Sequence, residues 1–175
     1  MNPAEKEQLL SLLQASRGAL RHVTGQMSDA QATFAPAEGQ WSAKDVAEHV
    51  AVAEEQMLFL ITQLRRPATQ PSPLQDALIL KVMDDRTHKR EAPPSARPAA
   101  RFATLSEALA HFESSRAKTL DYVASCTENL RGFTVKHPLA GVIDCYQCLL
   151  MIATHPLRHE KQIQELKGHP AFPRA

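Results

Sequence analysis

Cysteine, aromatic residues and long apolar runs are all scarce in this chain of 175 residues. Its 3 cysteines are an odd number and unevenly spaced, which excludes a disulfide framework and favours a reducing compartment. No run of about 18 apolar residues is present, so the sequence predicts no membrane-spanning helix. The opening stretch, MNPAEKEQLL, is charged where a secretory signal would be apolar. We therefore expect a cytoplasmic protein without a membrane partner.

An excess of charge of either sign is also lacking. The 20 Lys and Arg residues nearly cancel the 19 Asp and Glu residues, which leaves a formal net charge of +1. Because no global field would attract a polyanion, a nucleic acid is not an expected partner. With 43% hydrophobic residues the chain can bury a core, and its length predicts one domain over residues 1–175.

Helical periodicity dominates what is present. Apolar residues recur at spacings of three and four along four long segments, at about 5–27, 43–66, 105–123 and 145–167. A shorter helix is predicted to start at Ser72 and Pro73, as cap and first residue, and to run past Val82. A flexible loop rich in Pro, Ala and Arg is predicted at about 88–103.

The remaining stretches favour an all-helical fold. Residues 126–144, between the last two long helices, are predicted to be irregular because they contain Gly132, Pro138 and Gly141. Sustained two-residue alternation bounded by hairpin turns is absent. The sequence thus predicts an all-α, up-down-type four-helix bundle with one additional short helix and a long Pro-rich loop.

Three histidines fall on the inward faces of two predicted helices. His155 and His159, in HPLRH, are four residues apart and lie on the stripe that includes Ile152 and Ile163. His49 occupies a core position of the second long helix. Polar rings that face a core need partners, which allows two interpretations. The rings converge on one metal ion, or His49 is a hydrogen-bonded core residue and the pair lies at a solvated helix edge.

The other five histidines are predicted to lie on the surface or in loops: His22, His88, His111, His137 and His169. Pro156, within the HPLRH pair, cannot donate a hydrogen bond to the carbonyl of Ile152, at a cost of about 3 kcal/mol in an ordinary helix interior. We expect either a kink at Ile152 or a new helical segment that starts at Pro156. Either outcome keeps the two histidines on one face.

An ordered set of short motifs resembles the DinB-like, or damage-inducible-protein-like, superfamily from about Trp41 to Leu166. The motifs are WSAKDVAEHV, an APP…P loop, ALAHFESSR, HPLAG and HPLRHEKQI. The resemblance implies a four-helix bundle in which His49, His155 and His159 bind a divalent metal, nickel or zinc first and iron or manganese as further options. It also implies a homodimer.

Four more residues are candidates for the surroundings of this site. Asp45, one turn before His49, is predicted either to orient that imidazole or to serve only its helix cap, and Gln162 is predicted to support His159. Arg116 and Arg158 are candidates for binding a carboxylate or phosphate of a substrate, with a snorkelling arginine at a bundle edge as the alternative.

Cys145 and Cys148 form a CxxC pair at the start of a helix. A redox role would require a strand before the pair, and none is evident in the sequence. We therefore expect both cysteines to be structural.

The expected function follows from a three-histidine ion with open positions. Relatives in the resembled superfamily include thiol-dependent S-transferases and isomerases, which implies a metal-dependent enzyme that activates a thiol or a water toward a small electrophile. The expected partners are a small-molecule substrate and a low-molecular-weight thiol. The alternative is a metal-binding or stress-response bundle without turnover.

Overall fold

Helices make up most of the structure, a computed structural model that describes residues 1–72, 74–88 and 90–174. Over these residues there are six α-helices: α1 Pro3–Thr24, α2 Asp29–Thr33, α3 Ala43–Gln63, α4 Asp76–Asp84, α5 Leu105–Ser125 and α6 Cys145–Lys167. The four long helices α1, α3, α5 and α6 form a bundle, so the predicted all-α four-helix bundle is confirmed. No helix in the described ranges combines the length and hydropathy needed to cross a membrane.

The directions of the four long helices refine the predicted up-down type. α1 and α6 run the same way, because Gln8 bonds Tyr146 near their starts and the Val23 carbonyl accepts from Lys167 near their ends. α3 and α5 also run parallel to each other, because Val50 and Phe112 in their first halves share one core cluster, and Arg65, just after α3, donates to Tyr122 near the end of α5. Parallel neighbouring helices need a long crossover connection, which explains the long segment between α3 and α5.

Each of the two helices that carry the candidate histidine ligands begins at a capping box. In α3, the Ser42 side chain accepts from the Asp45 amide while the Asp45 carboxylate accepts from the Ser42 amide. Asp144 and Gln147 make the same reciprocal pair at the start of α6. Because these boxes satisfy amides at each helix start, they fix where the helices begin and hence which face each histidine occupies.

The two short helices differ from the prediction. α4 begins at Asp76 with Gln75 as its N-cap, so the predicted start at Ser72 is wrong, and Pro73 lies outside the described residues. The short helix α2 was not predicted; it is a single turn that Ser28 and Gln31 cap reciprocally.

A small antiparallel sheet corrects the prediction that residues 126–144 are irregular. Its strands are β1 Arg66–Pro67, β2 Phe133–His137 and β3 Gly141–Asp144, in the order β1-β2-β3. His137 pairs with Gly141 across the hairpin, and Gly141 has a φ of +72°, which favours glycine. The alternation in β2 covers only five residues, which is too short to stand out in a helical sequence.

Pro156 lies inside α6, which continues without a break from Cys145 to Lys167. The predicted new segment at Pro156 is therefore not formed. The Ile152 carbonyl, which lacks a donor because proline has no N–H, accepts a hydrogen bond from Nη2 of Arg116 at 3.4 Å. Arg116 thus offsets part of the cost that the proline imposes on the helix.

A buried carboxylate of α3 binds the proline-rich loop before α5. Glu48 has a fully buried side chain and accepts from the amides of Ala99 and Arg101, at 2.7 and 3.2 Å. The Arg101 guanidinium adds an ion pair to Glu48 at 2.7 Å. These bonds hold the short 3₁₀ turn Pro94–Ala96 against the first half of α3.

Candidate metal centre

The three candidate imidazoles meet between α3 and α6. His49 Nε2 lies 3.2 Å from His155 Nε2, which in turn lies 3.0 Å from His159 Nε2. Each of the three rings offers a ligand atom within 4.8 Å of the others. His49 and His159 are buried, and His155 is half-buried. The structure therefore brings together the three residues that the helical stripes selected.

Hydrogen bonds fix the tautomers of two of these rings. His49 Nδ1 lies 2.7 Å from the carbonyl oxygen of Ala96, and His159 Nδ1 lies 2.9 Å from Oε1 of Gln162. Because both partners are oxygens that accept, each Nδ1 must carry the proton. The two Nε2 lone pairs consequently point toward the common centre, as in metal-bound histidines.

The spacing of the nitrogens fits a metal ion. Three nitrogens arranged tetrahedrally at about 2.0–2.1 Å from a zinc ion lie about 3.3 Å apart. The observed separations of 3.0 and 3.2 Å are close to that value. When His155 carries its proton on Nδ1 as well, three lone pairs face one another across such distances, an arrangement that a cation among them would stabilise. The donor set therefore fits a divalent ion.

Burial also keeps these rings neutral. It lowers the pKa of His49 below its ordinary value of 6.5, against a smaller opposing effect of the Ala96 carbonyl. Burial, strengthened by the neighbouring histidines, lowers the pKa of His155 and His159 well below 6.5. A neutral imidazole is the form that binds a metal, so the rings are ready for an ion at neutral pH.

Asp45 and Gln162 have different roles in the structure. The Asp45 carboxylate accepts from the amide and hydroxyl of Ser42, at 2.9 and 2.7 Å. It therefore serves the helix cap, and the Ala96 carbonyl orients His49 in its place. Gln162 contacts His159 as predicted, and Arg86 donates to the same amide oxygen at 3.3 Å. Arg86 is a participant that the sequence did not indicate.

Arg116, predicted as a substrate contact or a snorkelling side chain, is fully buried. Its five N–H groups donate to the Glu54 carboxylate, the Leu13 and Ile152 carbonyls and the Ser16 hydroxyl. No donor of Arg116 is left for a ligand. Its Glu54 pair joins α5 to α3 in the core of the bundle.

Arg158 is also buried but lines the cavity beside the histidines. Its guanidinium donates to the Val82 and His88 carbonyls, at 3.2 and 2.8 Å, and to the Asp85 carbonyl. These acceptors lie at and beyond the carboxyl end of α4, where a cation is favourable. Burial, with the charges of Arg86 and Arg90, lowers the pKa of Arg158.

A cavity of about 1360 Å³ opens onto the three histidines. Apolar side chains line part of its wall. We call this part the apolar arm, and its lining residues are Met57, Leu60, Ile79, Met83, Leu139 and Met151. Two more apolar side chains that line the cavity, Phe59 and Leu78, are 52% and 47% exposed. A small molecule with an apolar part can therefore reach the centre.

His137 also lines this cavity, which corrects the prediction that it lies on the surface. It ends strand β2, which packs against both α3 and α6, and only 7% of its surface is exposed. Its Nδ1 accepts from the amides of Leu139 and Ala140, at 3.2 and 3.1 Å. The alternation of Val135 and His137 before a proline was the available sequence signal, but it spans too few residues.

The remaining predicted features lie elsewhere. His22 and His88 are exposed, and His111 and His169 are partly exposed, as expected. Cys145 and Cys148 are buried, and strand β3 precedes them, contrary to the prediction. Burial raises the pKa of Cys145 to about 12 and that of Cys148 as well, so neither thiol is a ready nucleophile.

Comparisons with known proteins agree with this architecture. Residues 12–163 match the family model of the DinB superfamily. The structure resembles YfiT from Bacillus subtilis, which is described as a probable metal-dependent hydrolase with an unusual four-helix bundle topology. The TM-score is 0.61 and the sequence identity 19%, and the match covers 95% of this chain and 88% of that chain. It also resembles TT2238, described as a four-helix bundle protein, with a TM-score of 0.61 and 23% identity over 91% of this chain and 98% of that chain. No curated protein has significant sequence similarity to this chain.

Proposed function

We propose that this chain, which belongs to the DinB superfamily, is a metal-dependent hydrolase. In this proposal His49, His155 and His159 hold one divalent ion. The observation that carries the proposal is the convergence of three Nε2 atoms, two of which have their lone pairs fixed by a bond at Nδ1. Three imidazole nitrogens suit zinc or nickel, and iron also accepts such ligands. Manganese prefers oxygen ligands, so we rank it last.

The chain's own residues would hold and shield such an ion. Gln162 and the Ala96 carbonyl keep two rings in the required tautomer and orientation. When bound, a divalent ion would supply Lewis acidity, which polarises a carbonyl and yields a strong nucleophile near neutral pH. The apolar arm would exclude bulk water from the substrate and strengthen electrostatic interactions at the centre.

Two further observations support hydrolysis. YfiT, which shares the fold, is described as a probable metal-dependent hydrolase. Within residues 1–72, 74–88 and 90–174, the three histidines form the one cluster of potential metal-binding side chains. A fourth protein ligand is thus not evident in these ranges, which leaves room for water and substrate, as in catalytic rather than structural zinc sites.

A second candidate is a transferase that uses a low-molecular-weight thiol in place of water. The cavity volume of about 1360 Å³ favours it, because a thiol and an electrophile could be accommodated together beside the centre. Cys145 and Cys148 would not serve as that thiol, since both are buried and have raised pKa values. The third possibility is metal binding without turnover.

Turnover by metal-loaded protein separates these candidates. We expect hydrolysis of activated esters or amides in proportion to bound metal, loss of activity in His49→Ala, and retention in His111→Ala, whose imidazole contacts Glu55. A rate that requires an added thiol and a haloarene acceptor would favour the transferase. A metal-loaded protein inactive in both panels would contradict catalysis and leave the non-catalytic function.

A further inference from the structure

One buried histidine of the cavity has no role in the proposed ion site. Nδ1 of His137 accepts hydrogen bonds from two backbone amides, and a backbone N–H group can only donate. Its Nδ1 is therefore unprotonated, and the proton of the ring must be on Nε2. Among the described residues, no hydrogen-bond partner of this Nε2–H is present, although the side chain is more than nine-tenths buried.

This Nε2 is not one of the fully buried polar atoms, so in a residue that is only 7% exposed the donor is open to the cavity that His137 lines, where a ligand can accept from it. The surroundings limit the kind of ligand. His137 lines the same cavity as the three histidines and the apolar arm, and its neighbours in the hairpin, Leu139 and Ala140, also line it. A ligand with an acceptor oxygen near the centre and an apolar body against these side chains would fit here.

We propose that the substrate is an acyl compound with an apolar acyl group, and that its carbonyl oxygen accepts a hydrogen bond from Nε2–H of His137. This inference rests on the proposed hydrolase function and specifies its substrate class. The acyl chain occupies the apolar arm, where Met57, Met83 and Met151 offer flexible, polarisable contacts to chains of different shape.

The reaction that follows is a balanced hydrolysis. The oxygen of water bonds to the carbonyl carbon, and the bond from that carbon to the leaving oxygen or nitrogen breaks. The leaving atom keeps the bonding electron pair and gains a proton, so the products are a carboxylic acid and an alcohol or amine. His137 keeps its proton throughout, and its hydrogen bond strengthens as negative charge develops on the carbonyl oxygen.

Two substitutions separate this role from a structural one. In His137→Asn, the amide oxygen takes the place of Nδ1 as acceptor for the turn, while the cavity donor is lost. In His137→Gln, the amide nitrogen can replace Nε2 as the donor, while the acceptor for the turn is lost. A purely structural His137 would tolerate Asn and not Gln, whereas the proposal requires the opposite order for ligand binding and rate. His111→Asn is the matched control, because that ring lies outside the cavity lining.

Binding of an acyl amide to metal-free protein tests the inference without turnover. Using ¹⁵N-labelled protein at neutral pH, we expect the proton of His137 on Nε2 and a shift of its resonance when octanamide is added. Octanamide should bind at least about tenfold more tightly than acetamide, since each buried methylene adds about fourfold. His137→Asn should weaken octanamide binding about 3- to 10-fold, and His137→Gln and His111→Asn should weaken it less.

The outcomes distinguish this inference from the proposed function. A proton on Nδ1, equal binding of octanamide and acetamide, or undiminished binding to His137→Asn would overturn the inference even if esters are hydrolysed. The predicted binding pattern in a protein that hydrolyses no ester or amide would support the apolar acyl site and contradict the hydrolase. Where turnover is found, His137→Asn should lower kcat while leaving the metal content of the protein unchanged.

Discussion

Replacing Arg116 with methionine should destabilise the bundle severely, since this guanidinium connects three long helices. It pairs with the Glu54 carboxylate of α3, bonds the Leu13 carbonyl of α1 and bonds the Ile152 carbonyl of α6. Both members of the ion pair are almost fully buried, with 0% and 2% of their side chains exposed. Methionine fills similar volume but leaves the Glu54 charge without its cation.

The expected loss follows from that buried charge. Removing one partner of a buried ion pair costs about 3–5 kcal/mol. For a domain of this size, such a loss corresponds to a decrease in Tm of about 6–20 °C. The Ile152 carbonyl also loses a donor that Pro156 cannot replace, so Pro156→Ala should stabilise the Arg116→Met protein more than it stabilises the unmodified protein.

Urea denaturation of metal-free protein, followed by circular dichroism, measures the effect without a contribution from bound metal. The double substitution Arg116→Met with Glu54→Leu should recover much of the loss, because both buried charges are then removed. Arg97→Met is the control, since Arg97 pairs with Glu91 at the surface, where such pairs contribute about 0–1 kcal/mol. A loss below about 1 kcal/mol for Arg116→Met would refute the reasoning.

Two further predictions concern the histidines. Gln162→Leu should weaken metal binding about 10- to 100-fold, because His159 loses the acceptor that orients it. Gln164→Leu, at an exposed position, should leave metal binding unchanged. Competition with a chromophoric chelator measures the metal affinity of both variants. The free energy of unfolding of metal-free protein should fall between pH 7.5 and 5.5, because burial holds the pKa of His137 and His155 below 6.5 and the unfolded chain then binds more protons. Each such histidine contributes up to about 1.4 kcal/mol per pH unit, and a pH-independent stability over this interval would contradict that reasoning.

Local periodicity was sufficient to predict the long helices and to place each of the three histidines on the inward face of its own helix. The inward stripe of a helix depends only on residue spacing, so His155 and His159 could be assigned to one face before any neighbour was known. The spacing could not place His49 opposite them, since that depends on how α3 packs against α6. The resemblance to the DinB-like superfamily supplied this link.

Features that depend on distant contacts could not be predicted in the same way. The role of Arg116 requires knowledge of three other helices, although its position on the apolar stripe of its own helix was evident. His137 was missed because a five-residue strand becomes recognisable only when its partner strand is known. The parallel arrangement of α3 and α5 likewise depends on the path of a long connection. A homodimer stays a prediction.

Metal analysis of purified protein tests the central claim most directly. We predict one divalent ion per chain and complete loss of binding when His49, His155 and His159 are replaced together by alanine. The matched protein, with alanine at His22, His88 and His111, should retain the ion because none of these rings belongs to the cluster. Equal metal content in the two triple variants, or none in the unmodified protein after loading, would contradict a metal centre built from these three imidazoles.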